Sequence, residues 1–437
     1  LCPFHVILPI VSTTISTSGK PPSNRDDAVA VVRKLREAGH VAYFAGGCVR
    51  DLLLGRTPGD YDVATDAPPP RVRKLFANTQ AVGAAFGVIL VRIGKSTVEV
   101  ATFRADAEYR DGRHPVAVRF TSAEEDAQRR DFTINGLFLD PLDNDRIIDF
   151  VGGREDLAAG LVRAIGKPSE RFDEDSLRLL RAVRFAARLG FAIEPATAAA
   201  IVAHAPQLKR ITPERIAEEL RHMLTAPTRA AAWQLLLDRR LTPEIFRFLP
   251  SATPPRRGRI PSLFQYISQG APIPFGLALA AAFVSYHSSE PQTLFAPQSV
   301  RGATRAMRQA LRISNEESDD FAGTLEGTQL LLTSEPTVVM LKRFLARPTA
   351  SLTRQLLKAL AAADLAPVGR AAELESELYR LAQTDYAPPP LLTGDHLTAM
   401  GLTPGPQFKR ILDAAYDAQL AGTIQTLEEA MELARKK

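Results

Sequence analysis

Cysteine is nearly absent from this 437-residue chain: there are two, Cys2 and Cys48, far apart and without metal-ligand spacing. A disulfide framework and a zinc cluster are both excluded, and a reducing compartment such as the cytoplasm fits best. Cys48 reads as a small buried filler. Long apolar runs are missing as well. The longest, IPFGLALAAAFV at 273–284, is too short to cross a bilayer and reads as a core helix. The opening stretch LCPFHVILPIVSTTISTSGK lacks a basic leader, which argues against a signal peptide. Its first residue, Leu, points to an alternative start or an incomplete chain. Residues 226–385 also lack clustered His and Asp residues, so an appended metal-dependent phosphohydrolase domain is not expected there. No internal repeat or low-complexity tract is present.

What is there is an ordinary globular composition, 45% hydrophobic and 24% charged, with length for about three domains. The net charge of +5 is a mild basic excess, compatible with a nucleic-acid partner without requiring one. Residues 1–24 read as a tail or leader. Residues 25–150 mix helix and strand: DDAVAVVRKLREAG is an amphipathic helix ended by Gly39, HVAYFA a short strand, and YDVAT another. Pro68, Pro69 and Pro70 start the helix RVRKLFAN. GVILVRIG and STVEVATF follow as alternating strands, then VAVRF. From 151 onward helical periodicity takes over, beginning with one long helix over ERFDEDSLRLLRAVRFAARLG. SATPPRRGRIPS near 251–262 and DYAPPPLLTGD near 385–395 read as connectors.

Three groups of residues carry chemistry. The first is GGCVRDLLLGRTPGDYD at 46–62. A Gly-Gly turn lets backbone N–H groups approach a triphosphate, and Arg50 adds a cation. Asp60 and Asp62, two apart on an extended segment, share one face and repel each other unless a cation lies between them. Magnesium suits hard carboxylates and a phosphate-bearing substrate. The second group is RRDFTING, with Arg129, Arg130, Asp131 and Asn135. It can hold a phosphate and sugar hydroxyls, or it is a surface ion pair at a helix start. The third is EDSLRLLRAVRFAARLG, where Asp175, Arg178, Arg181, Arg184 and Arg188 would share one helical face. Such a stripe is a solvated face unless its ends do something more. A carboxylate that only accepts and a guanidinium that only donates match a base edge with an exocyclic amine beside a bare ring nitrogen. Cytosine and adenine present that edge. Guanine and uracil do not, at about 1–3 kcal/mol per unpaired group.

In order from Val41 to Leu224, these motifs resemble the class II tRNA nucleotidyltransferase (CCA-adding) and bacterial poly(A) polymerase family, within the DNA polymerase β-like superfamily. The matching runs are GG-x-V-R-D…D-x-D, R-R-D-F-T-I-N, D-F-V-G-G, E-D-x-x-R and E-R-I-x-x-E-L. The resemblance implies an α+β fold. An N-terminal nucleotidyltransferase head with a mixed β-sheet (25–150) would precede an all-α neck (151–225), body (226–385) and tRNA-docking tail (386–437). It implies Asp60 and Asp62 as catalytic Mg²⁺ ligands, with Gly47, Arg50, Arg130, Asp131 and Asn135 binding the nucleotide. Asp175 and Arg178 would select the base, supported by Arg181 and Arg184. Glu99, in VEVATF, is either a third catalytic carboxylate or structural. The segment RADAEYRDGRHP at 104–115 resembles the family's flexible loop, associated with the switch from C to A addition; a solvated hairpin tip would look the same. The DFVGG run at 149–153 is either a hinge or a turn. Lys409 and Arg410, on the helix after GLTPGP, are either phosphate contacts or part of a helical end-cap.

The expected activity is template-independent addition or repair of the 3′-terminal CCA of tRNA from CTP and ATP, in the cytoplasm and without a membrane. An A-adding tRNA nucleotidyltransferase or a poly(A) polymerase is the alternative. Poly(A) polymerases of the family tend to end in strongly basic tails, which this chain lacks. Intact Asp-x-Asp and E-D-x-x-R motifs argue against a non-catalytic RNA-binding protein.

Overall fold

The computed structural model describes residues 24–81, 87–106, 118–249, 262–267, 270–287, 294–333 and 335–436. The expected N-terminal tail up to 23, the loop segment from 107 to 115 and the connector at 251–261 lie outside the described residues. The chain divides into two compact units, one reaching Ile211 and the other starting at Thr212. That division falls inside the stretch read as neck, so its last helix, Pro213–Leu224, belongs with the second unit.

In the first unit α1 (Arg25–Glu37) leads into β1 (Ala42–Ala45), α2 (Gly47–Leu53), β2 (Asp62–Thr65) and α3 (Pro69–Leu75). Strands β3 (Thr79–Ala81), β4 (Val88–Ile93) and β5 (Ser96–Thr102) follow, then a two-stranded ribbon of β6 (Arg104–Asp106) and β7 (Val118–Phe120). After α4 (Ala123–Gln128) come a 3₁₀ turn at Thr133–Asn135, β8 (Phe138–Asp140), β9 (Arg146–Ile148), α5 (Gly153–Ala159) and β10 (Leu161–Val162). The unit closes with α6 (Pro168–Glu174), α7 (Arg178–Leu189), β11 (Ala192–Ile193) and α8 (Pro195–His204). Seven strands form the expected mixed sheet, in the order β3-β4-β5-β2-β1-β8-β9. β2 and β5 run parallel and the other neighbours antiparallel.

α1 forms where Ala28, Val31, Val32 and Leu35 recur at helical spacing. Asn24 caps it by accepting from the Asp27 N–H at 2.8 Å, and acids open it while bases close it. Its apolar stripe packs with Phe44, Val49, Tyr61, Val63, Val72, Val98 and Val100 on one side of the sheet. A smaller cluster of Ala45, Ala64, Phe103, Ala127 and Phe138 lies on the other side, where α4 sits. Because strand side chains alternate, Tyr61 and Val63 face the large core while Asp62 and Ala64 face away from it.

One expected element differs. The run 170–190 is two helices, α6 and α7, not one. Asp175 is extended (φ −147°, ψ 101°) and its Oδ1 accepts from the Leu177 N–H at 3.0 Å. Ser176 Oγ donates to the Phe172 carbonyl at 3.1 Å. Short polar side chains that bond locally compete with the helix ladder, and here they break it. The DFVGG run is a firmly bonded turn. Asp149 accepts from the N–H groups of Val151, Gly153 and Arg154 at 2.9–3.0 Å.

The second unit is helical throughout its described residues. The helix Phe275–Tyr286 is buried from Phe275 to Val284, as its unbroken apolar sequence predicts. Residues Leu392, Leu397, Ile411, Ala415, Ile424, Ala430 and Ala434 give the tail helices a cluster of their own. The tail is tied to the helix Val338–Leu345 by Arg343–Asp417 at 2.6 Å and by Lys342 donating to the Leu420 carbonyl at 2.9 Å. No described helix is long and apolar enough to cross a membrane.

Gly153 opens α5 so close to the 3₁₀ turn that a side-chain carbon there would lie 2.2 Å from the Thr133 carbonyl oxygen. Both partners are backbone, so neither can swing aside. Gly153→Ala is expected to cost about 1–3 kcal/mol despite the better helix propensity of Ala. Gly369→Ala, in a helix with open space around it, should leave stability unchanged or raised. Urea midpoints of the two variants check this, and equal midpoints would refute the close packing.

Candidate active site

Asp60 precedes β2 and is exposed, Tyr61 is buried and Asp62 is half-buried. The strand itself starts only at Asp62, yet the alternation expected over Asp60–Tyr61–Asp62 is seen. Parallel pairing sets Asp62 opposite Glu99 of β5 and Val63 opposite Val100. Val63 and Val100 both enter the core, so Asp62 and Glu99 share the opposite, open face. This register brings Glu99 beside the carboxylate pair. Among the described residues, no group of three His, Cys, Asp or Glu is tight enough to enclose a metal ion. The donor set instead suits a cation that keeps waters and shares a substrate's phosphate oxygens. Behind it, the Cys48 thiol is pushed up to about 12 by burial and then by the negative charge of Asp62, so it is no nucleophile.

The glycine pair sits where β1 turns into α2. Gly46 has φ +73°, and a side-chain carbon on it would come within 2.8 Å of Arg130 Nη1. Arg130 therefore closes over the turn, donating to the Asn135 carbonyl at 3.3 Å. Arg50, expected as a cation near the phosphates, is only 3% exposed. Its Nε and Nη2 donate to Asp51 Oδ1 at 2.9 and 2.7 Å, and Nη1 donates to Asn135 Oδ1 at 2.7 Å. The guanidinium thus ties α2 to the 3₁₀ turn.

Asn135 passes the connection on. Its Nδ2 donates to Asp131 Oδ1 at 3.0 Å, and Asp131 Oδ2 accepts from Arg181 Nε and Nη2 at 2.8 and 2.6 Å. Burial opposes a charge on Asp131, but Arg181, the Asn135 hydrogen bond and the charge of Arg178 outweigh it. They hold the carboxyl down at about 2. A continuous polar relay, Asp51–Arg50–Asn135–Asp131–Arg181, so links α2 to α7.

A second network surrounds Asp126, 1% exposed. Arg129 and Arg130 reach its two oxygens at 2.7 and 2.9 Å, and the Arg104 N–H donates at 3.2 Å. Burial again resists ionisation, and the two arginines and these hydrogen bonds hold the group below the usual carboxylate range. Arg178, on α7, is 8% exposed and donates from Nη1 to Glu174 Oε2 at 2.7 Å and to the Arg171 carbonyl at 3.0 Å. Arg171 in turn donates to the carbonyls of Arg129 and Arg130. Asp175 is half-buried on the break beside Arg178, off the helix on which it was expected. Arg184 lies over the Phe185 ring, 4.7 Å from its centroid. A cavity of about 300 Å³ adjoins this group, lined in part by Arg119, Glu125, Arg129, Arg171 and Glu174.

The structure thus gathers Gly46, Arg50, Arg130, Asp131, Asn135 and Arg181 through direct contacts, with Arg178 joined through Arg171 and the carbonyls of Arg129 and Arg130. Asp126, Asp51, Arg171 and Glu174 were not foreseen. Their signal is spacing: Asp126 stands three and four residues before two arginines, and Glu174 four before Arg178.

Residues 42–163 match the family model described as the poly A polymerase head domain, and residues 190–252 match the probable RNA and SrmB-binding site of polymerase A. The CCA-adding enzyme of Geobacillus kaustophilus is 44% identical over 232 residues, 53% of this chain and 55% of that protein. Poly(A) polymerase I of Salmonella typhi is 44% identical over 232 residues, 51% of this chain and 50% of its own. The chain therefore matches about half the length of these curated relatives. The crystal structure of the Bacillus stearothermophilus CCA-adding enzyme in complex with CTP superposes with a TM-score of 0.69 at 29% identity, over 94% of this chain and 97% of that one. The chain thus carries segments that match the poly A polymerase head and RNA-binding models, on a fold similar to that of a CCA-adding enzyme.

Proposed function

We propose that this protein is a template-independent tRNA nucleotidyltransferase that adds or repairs the 3′-terminal CCA from CTP and ATP and releases pyrophosphate. The observation that carries the reading is the union of two features in one unit. Asp60 and Asp62 share an open sheet face, and the Asp131 relay ties the nearby glycine turn to the helix bearing Arg178. In this reading the RNA 3′-hydroxyl attacks the α-phosphate of the bound nucleotide. Asp60 and Asp62 hold the divalent metal used by this family, and Glu99 is the neighbouring carboxylate. Magnesium is the metal we assign, and when bound it lowers the pKa of the attacking hydroxyl and neutralises the leaving pyrophosphate.

The turn at Gly46 and Gly47 lets the triphosphate approach backbone N–H groups, and Arg130 supplies positive charge beside it. Arg50 and Asn135 keep turn, Asp131 and α7 in register rather than standing as free ligands. Asp175 and Arg178 read the amine and ring nitrogen of C or A. Glu174 and the Arg171 carbonyl take Nη1 of Arg178 and so fix which edge of the guanidinium faces the base. Lys409 and Arg410 are exposed on the tail helix Pro406–Leu420 and suit phosphate contacts. The cytoplasm is the compartment this activity implies. Polyadenylation is the second reading, favoured by the equal identity to the Salmonella enzyme.

Three transcripts decide the scope: tRNA ending before CCA, after C and after CC, each given CTP or ATP alone. CCA addition extends the first two with CTP and the third with ATP. Extension of the CC form alone would show A-addition, and long ladders on unrelated RNA would show polyadenylation; either result overturns the proposal. Asp60→Ala should lower incorporation by about a thousandfold or more while tRNA binding holds. Robust transfer by that variant would remove the metal assignment. The low pKa of Asp131 also sets a pH dependence. Its folded value is depressed, so its stabilisation is full above about pH 4 and is lost as pH falls toward 2. The acid loss should be on the order of 2 kcal/mol and should vanish from the Asp131→Asn protein, as read from urea unfolding at stepped pH.

A further inference from the structure

The helix Pro297–Leu311 carries Arg301, Arg305 and Arg308 and not one acidic residue. The three are exposed, and their four- and three-residue steps set them in one row. Arg312 follows at the helix end, in a left-handed conformation (φ 51°), and is exposed too. Like charges at these spacings destabilise an isolated helix, so nothing in the helix itself favours the row. Acids lie close by in sequence, since Glu316, Glu317, Asp319 and Asp320 open the next helix, Asn315–Thr333. Among the described residues no carboxylate pairs with Arg301, Arg305 or Arg308. Arg308 donates to Asn315 Oδ1 at 2.5 Å, and Arg312 Nε stands 4.0 Å from Glu214, both partners well exposed. The nearby Glu317 is taken by Arg221 at 2.8 Å. Arg305, Arg308, Gln309, Arg312 and Ile313 line a cavity of about 420 Å³.

We propose that this row is a binding surface for the sugar–phosphate backbone of the tRNA substrate. The inference rests on the tRNA reading above and extends it to residues outside both segments matched by the family models. Two observations favour nucleic acid over protein. All four cations are arginines, whose planar forks match phosphate oxygens in pairs. No large apolar side chain is exposed on this helix, whereas protein interfaces centre on apolar and aromatic anchors. From Arg301 to Arg312 the row spans about 16 Å, enough to meet several phosphates of one duplex.

The test compares wild type with the triple variants Arg301→Gln/Arg305→Gln/Arg308→Gln and Arg301→Lys/Arg305→Lys/Arg308→Lys, using full-length chains and a tRNA transcript lacking CCA. The glutamine variant should raise KM for tRNA about tenfold with KM for CTP and kcat unchanged. Its slope of log K against log salt should shrink by about 0.7–0.9 per cation removed, and the lysine variant should keep the wild-type slope. An unchanged tRNA KM and salt slope in the glutamine variant overturns the surface while leaving the activity standing. Wild-type protein that fails to extend or bind tRNA overturns the activity and the surface together. Unchanged tRNA binding with lost binding to polyglutamate would give the row to an acidic protein partner and overturn the proposal.

Discussion

The arrangement of the first unit depends on the buried charge of Asp131. A carboxylate at 9% exposure is costly unless its oxygens are fully used, and removing a partner would strand a charge in a poorly solvated place. Arg181, Asn135 and the Phe132 N–H use it fully. The same contacts leave α7 little freedom, because Arg181 is anchored on one side and Phe185 meets Phe132 edge-on with ring centroids 5.8 Å apart on the other. Asn135 turns its second polar atom to Arg50 and extends the constraint to the glycine turn. Groups from residues 50, 131, 135 and 181 thereby behave as one piece. Under the proposed activity such a frame would hold a base-selecting pair at a fixed distance from the phosphates.

Asp126 applies the same logic a few residues upstream. It pairs with Arg129 and Arg130, and by accepting from the Arg104 N–H it ties them to the ribbon of β6 and β7. Arg130 then lies against Gly46 closely enough to exclude any side chain there. Conserving space at Gly46 and burying Asp126 are two sides of one contact. A bulkier residue at the turn would have to push Arg130 off the carboxylate, leaving both charges less well paired.

Much of this was legible because its signals are local or periodic. Alternation around Tyr61 put Asp60 and Asp62 on one face, and three- and four-residue spacing aligned Arg178, Arg181 and Arg184. What escaped was decided by competition or by distant pairing. Periodicity alone ran a single helix through Asp175. The bond from its side chain to the Leu177 N–H, together with Ser176, overrode that periodicity. Arg50 read simply as a phosphate cation, since nothing nearby in sequence announces Asn135, eighty-five residues on, as its partner. That Glu99 lies opposite Asp62 follows from the parallel register of β2 and β5, and strand register is a long-range property.

Those outcomes separate two uses of arginine that look alike in a sequence. On α7 one member of the row, Arg181, is consumed: its Nε and Nη2 close on Asp131, and the helix is thereby positioned. On the helix Pro297–Leu311 a row with the same spacing stays exposed beside a single amide and one distant carboxylate. Spacing therefore does not distinguish a positioning row from a binding row; the fate of the donors does. A guanidinium whose N–H groups are already matched by buried acceptors cannot gain much from an incoming phosphate, because each new bond would replace one already made. One facing water replaces only solvent, and it releases the counterions held by the incoming polyanion. By that criterion Arg50 and Arg181 hold the first unit together, and Arg301, Arg305 and Arg308 of the helical unit remain available to a polyanion.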